Sequence, residues 1–296
     1  MMYVHIQSSY DENEMGTLFV VPTPIGNLDD ITYRAIYTLK KVNIIAAEDT
    51  RHTKKLLNHF DIKNELISYH EHNKQGRTEQ LVNRLEKGED IAIVSDAGMP
   101  AISDPGYDLV KAAIAREINV VVLPGANAAL CALVGSGLPT NEFLFYGFLP
   151  RKKQEKEAEL NRLKSLQATL IFYESPYRVK ETLRFLAKYL GNRQIVIARE
   201  ITKIYEQFVR GNVDTIVQWI ENKELKGEFC ILVEGNRQTE IQNDLWWSSL
   251  SIEEHVRHYE QSDKLSHKAA LKQVAKDRHM SRRDVYQQIH VHNKNK

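Results

Sequence analysis

The chain has 296 residues, 40 Lys and Arg against 39 Asp and Glu, 42% hydrophobic residues and two cysteines. That length exceeds one comfortable core and suits two domains plus an appendage, while two distant cysteines exclude a disulfide scaffold. No run of about 18 apolar residues offers a membrane span, and the polar, acidic segment 1–14 is unlike a secretory signal, so the expected setting is the cytoplasm.

Apolar strand-like runs alternate with helical periodicity. A strand at 17–21 precedes a helix at 31–41, a strand at 42–47, a basic helix at 51–60, a strand at 66–69 and a helix at 75–87. A strand at 91–94, a helix at 107–116, a strand at 119–123 and a small-residue helix at 126–134 follow. Nearly continuous apolar strands of this kind predict a parallel sheet with helices on both faces. Residues 143–148 read as the exit, and a charged helix at 152–166 opens a second alternation. Its strands at 169–173, 194–198, 206–210 and 228–233 and its helices at 178–190 and 213–222 include hairpin spacings, so this second sheet is expected to be mixed. From Ser251 onward only helical pattern remains. The expected organisation is an N-terminal tail at 1–15, an α/β domain at 16–149, a mixed α/β domain at 150–240 and a basic helical extension at 241–296, with a ligand cleft between the two α/β domains. Cys131 and Cys230, flanked by apolar residues, read as core residues.

The loop from Ser95 to Gly106 is the most informative stretch. It carries two glycines and two prolines within nine residues, at the carboxyl end of a buried strand, where open α/β sheets bind ligands. Asp96 and Asp104 can accept hydrogen bonds there, although Asp104, just before Pro105, also suits a helix cap. Turns at 22–27, 48–51 and 124–127 follow other strands and converge on the same sheet edge. No phosphate-binding P-loop, no G-x-G-x-x-G after the first strand and no G-x-S-x-G elbow occurs. Gly135-Ser136-Gly137 reads as a helix terminator. The His70-Glu71-His72 run reads as a solvated strand end rather than a metal site.

Four segments carry a resemblance: 21–32 (VPTPIGNLDDIT), 47–51 (AEDTR), 95–106 (SDAGMPAISDPG) and 172–178 (FYESPYR). In order, over roughly 16–235, they resemble the RsmI family of bacterial 16S rRNA cytidine 2′-O-methyltransferases, which act at cytidine 1402, within the tetrapyrrole methylase (class III) fold. The resemblance implies a dimeric enzyme that binds S-adenosylmethionine in the cleft. Position by position, Ser95, Asp96, Ala97 and Gly98 match the family's donor-binding turn, and Asn127 and Ala128 match its later backbone contacts. The first-strand turn with Asn27 matches the region that faces substrate. Gly26-Asn27 stands where tetrapyrrole-methylating members usually carry Gly-Asp, which argues against a porphyrinoid substrate, and Glu174 replaces an apolar residue.

Methyl transfer to a ribose 2′-oxygen needs collinear sulfur, methyl and oxygen and a base near the hydroxyl. The sulfonium donor is already activated, so no metal is expected. Glu48, Asp49 and Asp29 are the candidate bases, although Asp29 or Asp30 also suits a helix cap and Glu48 also suits a pair with Arg51. Arg34, Arg51, Arg151, Arg178 and Arg199 are candidate phosphate contacts. From Arg257 onward the chain carries a net charge of +6 against −5 for the rest. A helical stripe of Leu265, Ala269, Leu271, Val274, Ala275, Val285 and Ile289, with a turn signal at 281–284, leaves Arg282 and Arg283 free to grip rRNA or simply places a helical hairpin. Two other readings stay open: a class III methylase of a small metabolite or protein side chain, and a non-catalytic RNA-binding assembly factor.

Overall fold

Short β-branched runs build the first sheet of the computed structural model, which describes residues 6–8, 14–237, 247, 249–278 and 280–292. β1 (Leu18–Val20), β2 (Ile44–Ala47), β3 (Glu65–Ser68), β4 (Ile91–Val94) and β5 (Val120–Val122) pair in the order β3-β2-β4-β1-β5, all in parallel. Strands buried on both faces need helices on both. α1 (Tyr33–Lys41) and α2 (Thr50–His59) cover one face, where Ala35, Leu39 and Leu57 join Ile45 and Val94 in a core. α3 (Lys74–Leu85) and α4 (Tyr107–Ala115) cover the other, where Leu81, Leu85 and Leu109 pack on Ile44 and Ile93. The chain therefore leaves neighbouring β1 and β4 toward opposite faces, and that topological switch point opens a crevice between their exit loops.

The second sheet is mixed, as expected from its hairpin spacings. β6 (Phe143–Phe148), β7 (Thr169–Glu174), β8 (Gln194–Arg199), β9 (Gln207–Asn212) and β10 (Phe229–Val233) lie in the order β6-β7-β10-β8-β9, with only β6 and β7 parallel in this sheet. The segment 143–148, read as an exit, is this sheet's edge strand. α6 (Lys153–Leu163), α7 (Val179–Leu190) and α8 (Val213–Ile220) bury one face of it around Phe172, Leu183 and Ile216. The other face packs on α5 (Ala128–Ser136), whose Ala129, Ala132 and Leu133 meet Ile171, Val196 and Leu232 together with Ile25 from the first sheet's exit loop. Small residues on α5 allow this close approach, and Gly137, at φ +81°, ends the helix in the left-handed conformation.

Cys230 is buried, but Cys131 is exposed, which corrects its reading as a core residue. Flanking apolar residues misled here, because position 131 falls on the one α5 stripe that faces away from the sheet. Of the tail at 1–15, positions 1–5 and 9–13 lie outside the described residues, and Gln7 bonds both the carbonyl and the N–H of Val120 on the edge strand at 2.9 Å.

Residues 1–236 form one compact unit and 237–296 a second. Within the second, α9 (Ile252–Gln261), α10 (His267–Asp277) and α11 (Arg282–His292) enclose Val256, Ala270, Val274, Val285 and Ile289. Ser251 and Glu254 form a capping box at the start of α9. Ser281 accepts the Asp284 N–H at 3.2 Å, the turn that its sequence predicts. Among the described residues no helix is long and apolar enough to cross a membrane.

Candidate functional site

The exit loops of β1 and β4 are stitched together. Thr23 and Gly98 exchange backbone hydrogen bonds at 3.0 and 2.9 Å, and the Thr23 hydroxyl donates to the Ser95 carbonyl at 3.1 Å. Gly98 sits at φ +82°, where an added Cβ would press on Ile25 at 3.2 Å, so the turn requires glycine. Ala101 and Ser103 hold positive φ without being glycine, as do Glu200 and Thr202 across the gap. Such strain persists only where surrounding structure imposes it, and it clusters at functional sites.

Between these loops lies a cleft of about 440 Å³, in the range of a small-molecule site. Asp96, Ala97, Gly98, Asn127 and Ala128 all line it. Ser95 stands just behind, 2% exposed, with its hydroxyl donating to the Gly98 carbonyl at 3.3 Å. Asn127 also caps α5, accepting the Leu130 N–H at 3.1 Å. Of the three candidate bases, Glu48 lines the cleft and the other two do not. Asp49 caps α2 and pairs with Arg51 at 2.7 Å, which holds its carboxyl well below the usual range. Asp29 lies on an exposed turn whose N–H donates to Asn27 Oδ1 at 3.1 Å, and Thr32 caps α1, so neither Asp29 nor Asp30 has the capping role. The pair expected between Glu48 and Arg51 is made by Asp49 instead.

The cleft is acidic. Among the described residues Glu48, Asp96, Asp104, Glu174 and Glu228 line it and no Lys or Arg does, while Glu228 pairs with Lys203 at 2.9 Å outside the lining. Burial, then the neighbouring Asp96 charge, pushes the Glu48 carboxyl up against a hydrogen bond from the Asp96 N–H. Asp104 is raised to about 7 by burial and by Glu48, Asp96 and Glu228. Its reading as a helix cap is overturned: α4 has Gly106 at its N-cap with no side-chain bond, because the backbone of this loop aims Asp104 inward. Glu174, 3% exposed, is spoken for by Thr182 Oγ1 at 2.7 Å, the Ser175 N–H at 2.8 Å and Arg178 at 3.3 Å. It orders the β7–α7 turn.

Other contributors lay outside the sequence-based candidates. The Tyr173 hydroxyl accepts the Ala129 N–H at 3.1 Å, and burial raises its pKa. Cys230 lines the floor, its thiol pushed up to about 12 by burial. Both sit on central strands; Cys230 reads from sequence as core, and Tyr173 falls within the resembling segment 172–178 without a role of its own. Phe148 also lines the cleft and meets Tyr173 edge-on at 5.8 Å.

The arginines divide. Arg34 and Arg151 are exposed, as are Arg282 and Arg283 of the second unit. Arg51 is exposed but paired with Asp49. Arg178 donates to the Leu149 carbonyl at 2.7 Å and pairs with Glu174, and Arg199 donates to the Lys226 carbonyl at 2.6 Å. Asn27 is exposed and outside the cleft lining, its N–H donating to Thr202 Oγ1 at 3.2 Å. Among the described residues no group of three His, Cys, Asp or Glu is placed to hold a metal ion.

Residues 17–217 match the family model of tetrapyrrole (corrin/porphyrin) methylases. Ribosomal RNA small subunit methyltransferase I of Halalkalibacterium halodurans is 54% identical over 96% of this chain and 98% of its own length. The chain belongs to this methylase family. The Bacillus subtilis protein of the same name is 50% identical over 95% of this chain and 96% of its own. Among solved structures, uroporphyrin-III-C-methyltransferase from Thermus thermophilus aligns with a TM-score of 0.54 at 19% identity, over 74% of this methylase and 94% of that chain. Diphthine synthase gives 0.56 at 10% identity, over 74% and 90%. These two likenesses establish the fold, that of the tetrapyrrole methylases.

Proposed function

We propose that this methylase transfers a methyl group from S-adenosylmethionine to the ribose 2′-oxygen of a cytidine in 16S rRNA, at position 1402, in the cytoplasm and as a homodimer. The observation that carries the reading is the cleft: a small-molecule volume at the switch point, lined by carboxylates and, among the described residues, by no Lys or Arg. Opposite charge at short range in a partly buried site favours a cationic ligand, which suits a sulfonium that also bears an ammonium group. The near-complete match to rRNA methyltransferases supports the substrate class.

When bound, the donor supplies an activated methyl group that needs no further Lewis acid. The turn at Ser95, Asp96, Ala97 and Gly98, with Asn127 and Ala128, binds and orients it. Glu48 is the base: it lines the cleft, and its raised pKa makes it a better proton acceptor than an ordinary carboxylate. Asp49, outside the lining, positions the start of α2, and Asp29 lies outside the lining as well. Arg34 and Arg151 are left for phosphate. In sequence position the α/β bodies 16–149 and 150–240 supply the two sides of the cleft, and 241–296 is an rRNA-facing appendage.

The test is methylation of 16S rRNA and of small ribosomal subunits with labelled donor, followed by mass mapping. A cytidine carrying its label on ribose is expected. Label on a base, or on no RNA, overturns the reading.

A further inference from the structure

α1 and α2 both cover one face of the first sheet and share its core, and neither contains an Asp or Glu. Their outward residues are Tyr33, Arg34, Tyr37, Lys40 and Lys41 on α1 and Arg51, Lys54 and Lys55 on α2. Among the described residues Arg34, Lys40, Lys41, Lys54 and Lys55 have no carboxylate partner, and Arg51 pairs only with the cap residue Asp49. The opposite face of the same sheet differs. There Arg84 pairs with Glu65 and Glu89, Arg116 with Glu79 and Glu86, and Lys74 with Glu71 and Asp108. Three cations of the α3–α4 side are thus neutralised, although Lys87 and Lys111 there stay exposed, whereas the α1–α2 side leaves five without a carboxylate among the described residues, a cost in self-repulsion that a fold has no internal reason to bear.

Two exposed aromatics sit among these free cations. Tyr33 is 94% and Tyr37 64% exposed, one helical turn apart, and Lys41 Nζ stands 6.0 Å from the Tyr37 ring centre. Uncompensated cations interleaved with solvent-facing rings make a surface suited to phosphate backbone and unstacked bases. Both helices start at the carboxyl edge of the sheet, and Glu48, two residues before α2, lines the cleft.

We propose that the α1–α2 face is an RNA-docking surface, on which Lys40, Lys41, Lys54 and Lys55 hold backbone phosphates while Tyr33 and Tyr37 stack on bases of a single-stranded segment led toward the cleft. This deepens the rRNA reading above and rests on it. Each helix runs about 14 Å away from the cleft mouth, so the surface grips RNA beyond the nucleotide being modified.

The test uses the full chain with 16S rRNA and small ribosomal subunits as probes. The quadruple variant K40Q/K41Q/K54Q/K55Q should lose about tenfold or more in RNA affinity near 0.1 M salt, and its slope of log affinity against log salt should be shallower by about 2 to 4. Y33A/Y37A should lose about fivefold or more with the salt slope unchanged, because stacking is not a counterion effect. Both should melt like wild type and keep its donor affinity. K87Q/K111Q, two exposed lysines on the α3–α4 side, should change RNA affinity by less than about twofold. Unchanged affinity and slope in the quadruple variant overturn the proposal while leaving the rRNA reading intact if wild type still methylates. Equal losses in K87Q/K111Q would reduce the effect to net charge and also overturn it. So would loss of binding to anionic lipid vesicles with RNA affinity unchanged. Wild type that binds neither RNA probe sinks the rRNA reading and this surface together.

Discussion

The backbone N–H of Asp49 donates to Oδ1 of Asp96 at 3.1 Å, and the N–H of Asp96 points back to Glu48 Oε2 at 3.4 Å. The exit turns of β2 and β4 are thus latched through a carboxylate that also lines the cleft. Asp96 serves geometry and charge at once. Replacing it with Ala frees the Asp49 N–H and removes one negative charge from a cationic ligand's site, and a charge-assisted bond of this kind is worth about 1.5–3 kcal/mol. Calorimetry should show S-adenosylmethionine binding at least about tenfold weaker in Asp96→Ala, with Asp96→Asn between it and wild type. Equal affinity in all three would remove Asp96 from the site.

Asp104 gives a pH signature. Its carboxyl titrates at about 7 in the folded chain against 3.8 ordinarily. The native state therefore holds a proton that the unfolded chain has released, and stability from this group is full below about pH 4 and lost as pH rises through 7. Asp104→Asn keeps a neutral side chain at every pH. It should leave stability unchanged near pH 4 and raise it near pH 8 by about 1–2 kcal/mol, a figure reduced for a partly exposed site. Denaturant titrations at the two pH values check this. A destabilised Asn variant at pH 8 would mean that the carboxylate is held by contacts stronger than the repulsion from Glu48, Asp96 and Glu228.

The same linkage applies to the donor. A cation entering the cleft pulls Asp104 and Glu48 toward ionisation, so binding near pH 7 should release protons. Calorimetry in buffers of different ionisation enthalpy reads that release directly. Asp104→Asn should cut it by more than half, and the neutral product S-adenosylhomocysteine should release less than the donor. Identical proton release for the two ligands would show that the carboxylates do not sense the sulfonium.

Much of this site was legible in the sequence because loops after parallel strands must converge on one edge. The spacing of Gly98, Pro100, Pro105 and Gly106 flagged a loop that lines the cleft, and the strands other than β6 fell where uninterrupted apolar runs placed them. What failed was side-chain direction. Asp104 precedes Pro105 at a helix start and so imitates a cap, but the left-handed turns at Ala101 and Ser103 rotate it inward. Tyr173 and Cys230 sit on central strands, where only the tertiary fold decides which of two faces meets the cleft. Pairing was equally hidden: Asp49 and Glu48 are adjacent, and the helix start at Thr50 assigned Arg51 to the former.

A homodimer is the next expectation. The aromatic run at 143–148 is a poor interface candidate, because Phe145 packs against Tyr173 at 5.0 Å and Phe148 lines the cleft. Leu130 and Val134, 48% and 77% exposed on the outer stripe of α5, are the better apolar surface. Light scattering should give about twice the 34.2 kDa chain mass, and Val134→Lys should shift the protein toward the monomer. A monomer at micromolar concentration contradicts the reading.

The second unit has its own core around Val274 and Val285 and starts after the last strand of the second sheet, so removing residues 237–296 should leave donor affinity unchanged. The expectation that it contributes to RNA binding rests on charge: Arg282 and Arg283 open α11 exposed to solvent, on a segment with net +6. In R282Q/R283Q the core residues are untouched, and RNA affinity should fall about threefold to tenfold, with a salt slope shallower by about 1 to 2. Donor affinity should not move, since every residue lining the cleft lies before 237. Unchanged RNA affinity and slope would assign these helices to a structural role. RNA capture would then fall to the first unit alone, where the exposed cations of α1 and α2 lie.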